Sequence, residues 1–263
     1  MNILEYNRNA WNLQSLEGCR WSTPFPDEVI ERAKARDWSV ILTPNREVPG
    51  DWFPAHPDLT GLRILALASG GGQQAPIFAA AGAEVVSYDA SDIQLEKDEE
   101  VCARHGLKIT AIQGDMADLS DLGSESFDLV FNPVSNVFAE SLDPIWRECH
   151  RVLKPGGRLL CGFMNPAYYL FDHDLLEETG EFKVAYRLPY SDLESMDEAI
   201  LSGFLESQLS LEYSHSWEAQ IGGQCAAGLA ITGFYEDDWD EESTRLQGWM
   251  PMFAATRAVK WGG

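Results

Sequence analysis

The chain of 263 residues carries 42 acidic and 19 basic side chains, a formal charge of −23, with 45% apolar and 11% aromatic residues. That is enough apolar material for one large α/β core or two small ones, so the protein is globular. The excess negative charge repels nucleic acid and anionic membranes over most of the surface, which leaves small molecules as the expected substrates.

The longest apolar runs, such as IFAAAGA at 77–83, fall far short of the ~20 residues needed to span a bilayer. The opening MNILEYNRNAWN lacks the basic-then-apolar order of a secretory signal, so a cytoplasmic protein is expected. Cys19, Cys102, Cys149, Cys161 and Cys225 are widely spaced, odd in number and form no CxxC pair. Neither a zinc site nor a disulfide framework is expected from them.

In chain order, helical spacing covers 3–17 and 26–36, the second opened by Pro24 and Pro26, and 43–60 is a proline-rich connector ending in HPDLTG. Strand and helix then alternate. Apolar runs predict strands at 62–67, 84–88, 108–112, 128–132 and 158–163, with helices at about 74–81, 92–105 and 142–152. Such alternation implies parallel crossovers. Residues 164–214 break the rhythm with MNPAYYLFDHD, FKVAYRLPYSD and SLEYSHSW, the pattern of an insertion over the carboxyl edge of the sheet. A last helix from Ser216 to Gly228 and strands at 229–235 and 253–260 predict a closing hairpin. The expected fold is α/β, a doubly wound, mostly parallel seven-stranded sheet of Rossmann-like type with a terminal antiparallel hairpin and an aromatic-rich cover. Its expected parts are an N-terminal helical cover and connector (1–60), a cofactor-binding core (61–163), a substrate-side insertion (164–214) and a final helix and hairpin (215–263).

The first predicted strand runs into ASGGGQQA (68–75). A loop there lies at the carboxyl edge of the sheet, Gly70, Gly71 and Gly72 remove Cβ atoms that would block a ligand, and Pro76 suits the first turn of a helix. Gly70-x-Gly72-x-x-Ala75 satisfies the dinucleotide fingerprint, with Asp89 about 20 residues further on. A carboxylate there accepts from both hydroxyls of an adenosine ribose, whichever cofactor carries it; its plain alternative is to cap the next helix together with Ser91. In QGDMADLS, Asp115 is placed to accept from an adenine amino group and Met116 to flank the ring.

From these loops through SFDLVFNPVSN into ECHRVLKPGGRLLCGF, the chain resembles the class I S-adenosylmethionine-dependent methyltransferases, in particular their small-molecule branch. The resemblance covers roughly residues 62–163 and returns at the terminal hairpin. It implies that the glycine loop holds the methionine moiety, the acid after the second strand binds ribose, and the GDM-type turn recognises adenine. Those roles fall on Ser69, Gly70, Gly71, Gly72, Gln73, Asp89, Ala90, Asp115 and Met116. Lys154, Pro155, Gly156 and Gly157 form the turn before the fifth strand and serve the fold. Asn132-Pro133 resembles the first half of the N-P-P-aromatic signature of amino methyltransferases, which adds Asn132 to the cofactor residues; Val134 and Ser135 replace the second half, so no acceptor is named.

Where the family usually reads D-x-G-x-G-x-G, this chain has Ala66-Leu67-Ala68-Ser69-Gly70-Gly71-Gly72. The first acid and first glycine are missing, which leaves Ser69, Gln73 or the N-terminal segment to meet the methionine amino group. EYNRNAWN resembles the aromatic helix that folds over the cofactor in small-molecule members, so Tyr6 and Trp11 are expected to close the site, with Trp21 and Thr23 of CRWSTPF beside them.

The implied reaction moves a methyl group from a sulfonium to N, O, S or C, with alignment and exclusion of water as the protein's main contributions. A base is needed only where the acceptor must lose a proton, and His215 and Tyr190 are the candidates, with Tyr168 and Tyr169 also available. Two alternatives stay open. One is an NAD(P)-dependent oxidoreductase, which the fingerprint and Asp89 suit but which leaves GDMADLS and the hairpin unaccounted for. The other is a catalytically silent S-adenosylmethionine-binding module, suggested by Ala66 and Ala68.

Overall fold

The computed structural model describes residues 1–239 and 243–261. Helices α1 (Ile3–Leu16) and α2 (Asp27–Lys34) precede the sheet. Strand and helix then alternate as β1 (Arg63–Leu67), α3 (Gln74–Ala80), β2 (Glu84–Asp89), α4 (Asp92–Arg104), β3 (Thr110–Gln113), β4 (Phe127–Asn132), α5 (Asp143–Val152) and β5 (Leu153–Met164). The insertion contributes α6 (His173–Thr179), α7 (Asp192–Ser195) and α8 (Glu198–Glu206), and α9 (Gly223–Ala226), β6 (Leu229–Asp237) and β7 (Phe253–Lys260) complete the fold. No helix among the described residues is long and apolar enough to cross a membrane.

The seven strands lie in the order β3-β2-β1-β4-β5-β7-β6; β1 to β5 are parallel, and β7 runs antiparallel to both β5 and β6. Both faces of the parallel region are covered, which is why β1 and β4 are apolar almost throughout. Ile64 and Ala66 join Phe78, Phe131 and Trp52 on one face, while Leu65 and Leu67 join Val130, Trp146 and Phe163 on the other. The connector between α2 and β1 crosses the carboxyl edge of the sheet. Its Leu42 backbone lies on Gly162 of β5, where no side chain would fit, and Leu42 O accepts from Val134 N at 3.1 Å.

Two elements depart from the expected boundaries. Strand β5 begins at Leu153 rather than at 158, because Phe127 pairs with Leu153 and Leu129 with Arg158, so that Lys154–Gly157 bulge opposite Asp128. The bulge is pinned by Lys154 Nζ, 2.7 Å from Asp128 Oδ2, and by Gly156 at φ 78°. The helix expected from Ser216 to Gly228 is a π-helical turn at Glu218–Gly222 that runs into α9. Trp146 packs on this segment: its Nε1 donates to Ala219 O at 2.8 Å, and its ring fills the space where a Cβ on Gly223 would stand.

Candidate active site

A cavity of about 570 Å³ opens at the carboxyl edge of the sheet, beside the reversal of strand order between β1 and β4. Ala68, Asp89, Gly114, Pro133 and Met164, at or just beyond the ends of β1 to β5 in turn, form its floor. The roof comes from Asn7 and Trp11 of α1, from Trp21, from Ile41–Pro44 of the connector, and from Tyr168 and Glu212 of the insertion. Helix α1 is docked firmly. Asn7 Nδ2 donates to Leu211 O at 3.0 Å and its Oδ1 accepts from Leu211 N at 2.8 Å, while Asn12 bonds Ser91 Oγ at 2.6 Å over the start of α4.

The glycine loop is shaped mostly by the protein itself. Gly70 N donates to Asp89 Oδ2 at 3.1 Å, Gly71 N to Gln94 O at 2.9 Å and Gly72 N to Asp98 Oδ1 at 2.6 Å. The amides that would cradle a pyrophosphate are therefore already engaged. Gly70 lines the cavity; Gly71 and Gly72 do not, and the structure corrects that expectation. They sit at φ 115° and 79°, and Cβ atoms there would come within 3.0 Å of Trp21 O and 2.8 Å of Pro24 Cβ. Their bare backbone admits the Trp21–Pro24 segment rather than a ligand. Gln73 reaches the cavity, and its Nε2 holds the same segment through Arg20 O at 3.0 Å and Thr23 O at 2.9 Å. Thr23 itself bonds back to Cys19 O. On the wall, Ser69 Oγ and Gln94 Oε1 are buried without a hydrogen-bond partner among the described residues.

Asp89 ends β2 with Oδ1 accepting from Ser91 N at 2.9 Å and Oδ2 from Gly70 N, so each oxygen keeps accepting capacity toward the cavity. Burial raises its carboxyl above the usual range, against the pull of these amides. Ala90, Asp115 and Met116 line the same end; Asp115 Oδ1 accepts from Ala117 N at 2.9 Å, and Met116 Sδ lies 3.9 Å from Ser135 Oγ. Asn132 does not reach the cavity. It is fully buried beneath the floor, where Nδ2 donates to Leu67 O at 3.1 Å and Ser135 Oγ at 2.8 Å and so ties β4 to β1.

The far end carries Trp11 edge-on to Phe138 at 5.2 Å, Trp21 beside Trp239 at 6.0 Å, and Val134, Met164, Tyr168 and Phe253. Neither expected base is there. His215 Nε2 lies 3.1 Å from Asn136 O and 2.9 Å from Ala139 O, so this nitrogen carries a proton shared between two carbonyls, and burial lowers the ring's pKa. Tyr190 donates to Asp192 Oδ1 at 2.7 Å behind the wall. Tyr6 also faces away from the cavity, its hydroxyl buried near Asp192. Sequence reasoning passed over Glu212, which lines the cavity. Its only signal in the sequence is its place in SLEYSHSW, three residues before His215.

Fold and site together define a class I methyltransferase, with a cavity-lining acid at the end of β2 and a glycine loop whose amides are spent within the protein. Residues 65–161 match the model of the methyltransferase domain family. The chain is 43% identical over 258 residues, 98% of each chain, to a Bacillus subtilis (strain 168) protein named uncharacterized methyltransferase YbaJ. It is 36% identical over 107 residues to the ubiquinone biosynthesis O-methyltransferase of Ruegeria pomeroyi, a match spanning 40% of this chain and 42% of that protein. Its fold is similar to the crystal structure of an S-adenosylmethionine-dependent methyltransferase from Mesorhizobium loti, with a TM-score of 0.56 and 19% identity over 80% of this chain and 94% of that one. The chain belongs to the class I S-adenosylmethionine-dependent methyltransferase family.

Proposed function

We propose that this methyltransferase alkylates a small-molecule acceptor inside the cavity, with S-adenosylmethionine at the end formed by Ser69, Gly70, Asp89, Ala90, Asp115 and Met116. The observation that carries the reading is the enclosure of a single cavity by α1, the connector and the insertion, with an adenosine-suited end and an apolar, aromatic end. A space of this size and lining suits a small ligand, not a folded macromolecule. Bound S-adenosylmethionine supplies an electrophilic methyl group on a sulfonium. Asp89 accepts from the ribose hydroxyls, the unpartnered Ser69 Oγ and Gln94 Oε1 meet polar groups of the donor, and Asp115 meets the adenine amino group. Trp11, Trp21 and Tyr168 give aromatic faces to a cation and exclude water. The oxidoreductase alternative is disfavoured by the spent amides of Gly70, Gly71 and Gly72.

Residues 1–25 and 164–214 form the cover in this reading, through Asn7, Trp11, Trp21, Tyr168 and Glu212. Incubation with methyl-labelled S-adenosylmethionine and fractionated cell extract tests it. Label in low-mass metabolites is expected; label confined to protein or nucleic acid would overturn the small-molecule reading.

A further inference from the structure

We propose that Glu212 is the carboxylate that binds the methyl acceptor and takes a proton from it, and that the acceptor is an apolar small molecule bearing a basic amine. This rests on the cavity being the site of methyl transfer, as argued above.

Glu212 is held from behind and open in front. Its Oε2 accepts from Tyr169 OH at 2.6 Å, its backbone N donates to Asp192 Oδ2 at 2.7 Å, and Asp192 Oδ1 accepts from Tyr190 OH. The Tyr169 and Tyr190 rings stack with centroids 5.2 Å apart, so the support is rigid. Oε1 of Glu212 makes no hydrogen bond among the described residues, and the residue lines the cavity. A carboxylate with one oxygen satisfied and the other without a protein partner, on the wall of a mostly apolar cavity, is suited to a donor from a ligand.

The surroundings select the donor. Val137, Met164 and Phe253, with Val134 and Tyr168 packed on them, make this side apolar and aromatic. Among the described residues, Arg8 is the one cation on the cavity wall, against Asp89, Asp115, Glu140 and Glu212. An anionic acceptor is repelled there, whereas an ammonium gains from the carboxylate and from aromatic faces. The groups facing Glu212 are Tyr168 and Tyr169 before α6, Asp192 of α7 and Tyr190 ahead of it; Glu177 of α6 acts on Tyr168, and Tyr6 of α1 feels Asp192. Burial raises the Glu212 carboxyl to about 7, with the Tyr169 hydroxyl pulling it down and Asp192 adding to the rise. An acid poised near neutrality takes up a proton and returns it to water. The proton passes from the ammonium nitrogen to Oε1, and the sulfonium's like charge favours its departure. The freed lone pair then forms the N–CH₃ bond as the S–CH₃ bond breaks, with the bonding pair staying on sulfur. An N-methylammonium results, and Glu212 remains protonated until water deprotonates it.

The test is calorimetric titration of phenethylamine, 2-phenylethanol and phenylacetate into wild type and Glu212→Gln, each saturated with S-adenosylhomocysteine. Wild type should prefer the amine, more strongly as pH rises through about 7. Glu212→Gln should lose about tenfold or more of the amine affinity, lose the pH dependence and bind the alcohol as before. Absence of amine binding, an amine no better than the alcohol or the acid, or a preference that survives in Glu212→Gln would overturn the proposal. If the variant does not fold, the wild-type comparison of amine with alcohol decides alone. Failure of wild type to bind S-adenosylhomocysteine would instead sink the underlying reading of the cavity.

Discussion

The amide of Gly72 donates to Oδ1 of Asp98 at 2.6 Å, and Ser87 Oγ donates to the other oxygen of the same carboxylate at 2.6 Å. A fully buried acid on α4 therefore fixes the glycine loop to the second strand and its helix. The loop's shape is set from beneath by the protein, and the Trp21–Pro24 segment packs on it from above.

Gly72→Ala should destabilise the fold by about 1–3 kcal/mol, because it combines backbone strain with a clash at Pro24. Gly106→Ala is the control: its φ of 67° is also left-handed, but nothing lies within 4 Å of the added Cβ. Urea denaturation of both variants should place Gly72→Ala clearly lower. Equal midpoints would mean that contact with the N-terminal segment is not what the glycine serves.

Burial raises the Asp98 carboxyl to about 7, against the pull of Ser87 and Gly72. The folded state therefore binds this proton more tightly than an unfolded Asp of pKa about 3.9, and the stability so gained is lost as pH rises from about 4 to about 7. Asp98→Asn keeps an acceptor for Gly72 and cannot ionise. Thermal melts between about pH 5 and about pH 8 should show wild type losing stability relative to the variant as pH rises. A constant difference would contradict the raised pKa.

His215→Ala should cost about 1–3 kcal/mol of stability by leaving the carbonyls of Asn136 and Ala139 without their shared donor. S-adenosylhomocysteine affinity and the pH profile of turnover should stay as in wild type. A variant of normal stability and affinity but greatly reduced turnover would return His215 to the chemistry.

The alternation of strands and helices was legible because sheet burial on both faces writes itself as short apolar runs. So was the place of two cavity-lining acids, since Asp89 and Asp115 stand at or just beyond strand ends. What the glycines do was not legible, because the residues that need them, Pro24 and Trp21, lie far away along the chain. The same holds for His215 and Asn132, whose partners Asn136, Ala139 and Leu67 come from distant segments and turn chemically capable side chains into ties, while Tyr190 is tied to Asp192 two residues on. Glu212 was illegible for the same reason: nothing local marks a carboxylate whose cavity is assembled from α1, the connector and β5.

In the function proposed above, the ends of β1 to β3 hold the adenosine of S-adenosylmethionine, with its ribose on Asp89. Calorimetric titration of S-adenosylhomocysteine into wild type and Asp89→Ala, with folding checked by circular dichroism, tests it most directly. Wild type should bind at one site, with affinity weakened by about 1–3 kcal/mol in the folded variant. No binding by wild type, or unchanged affinity in the folded variant, would contradict it.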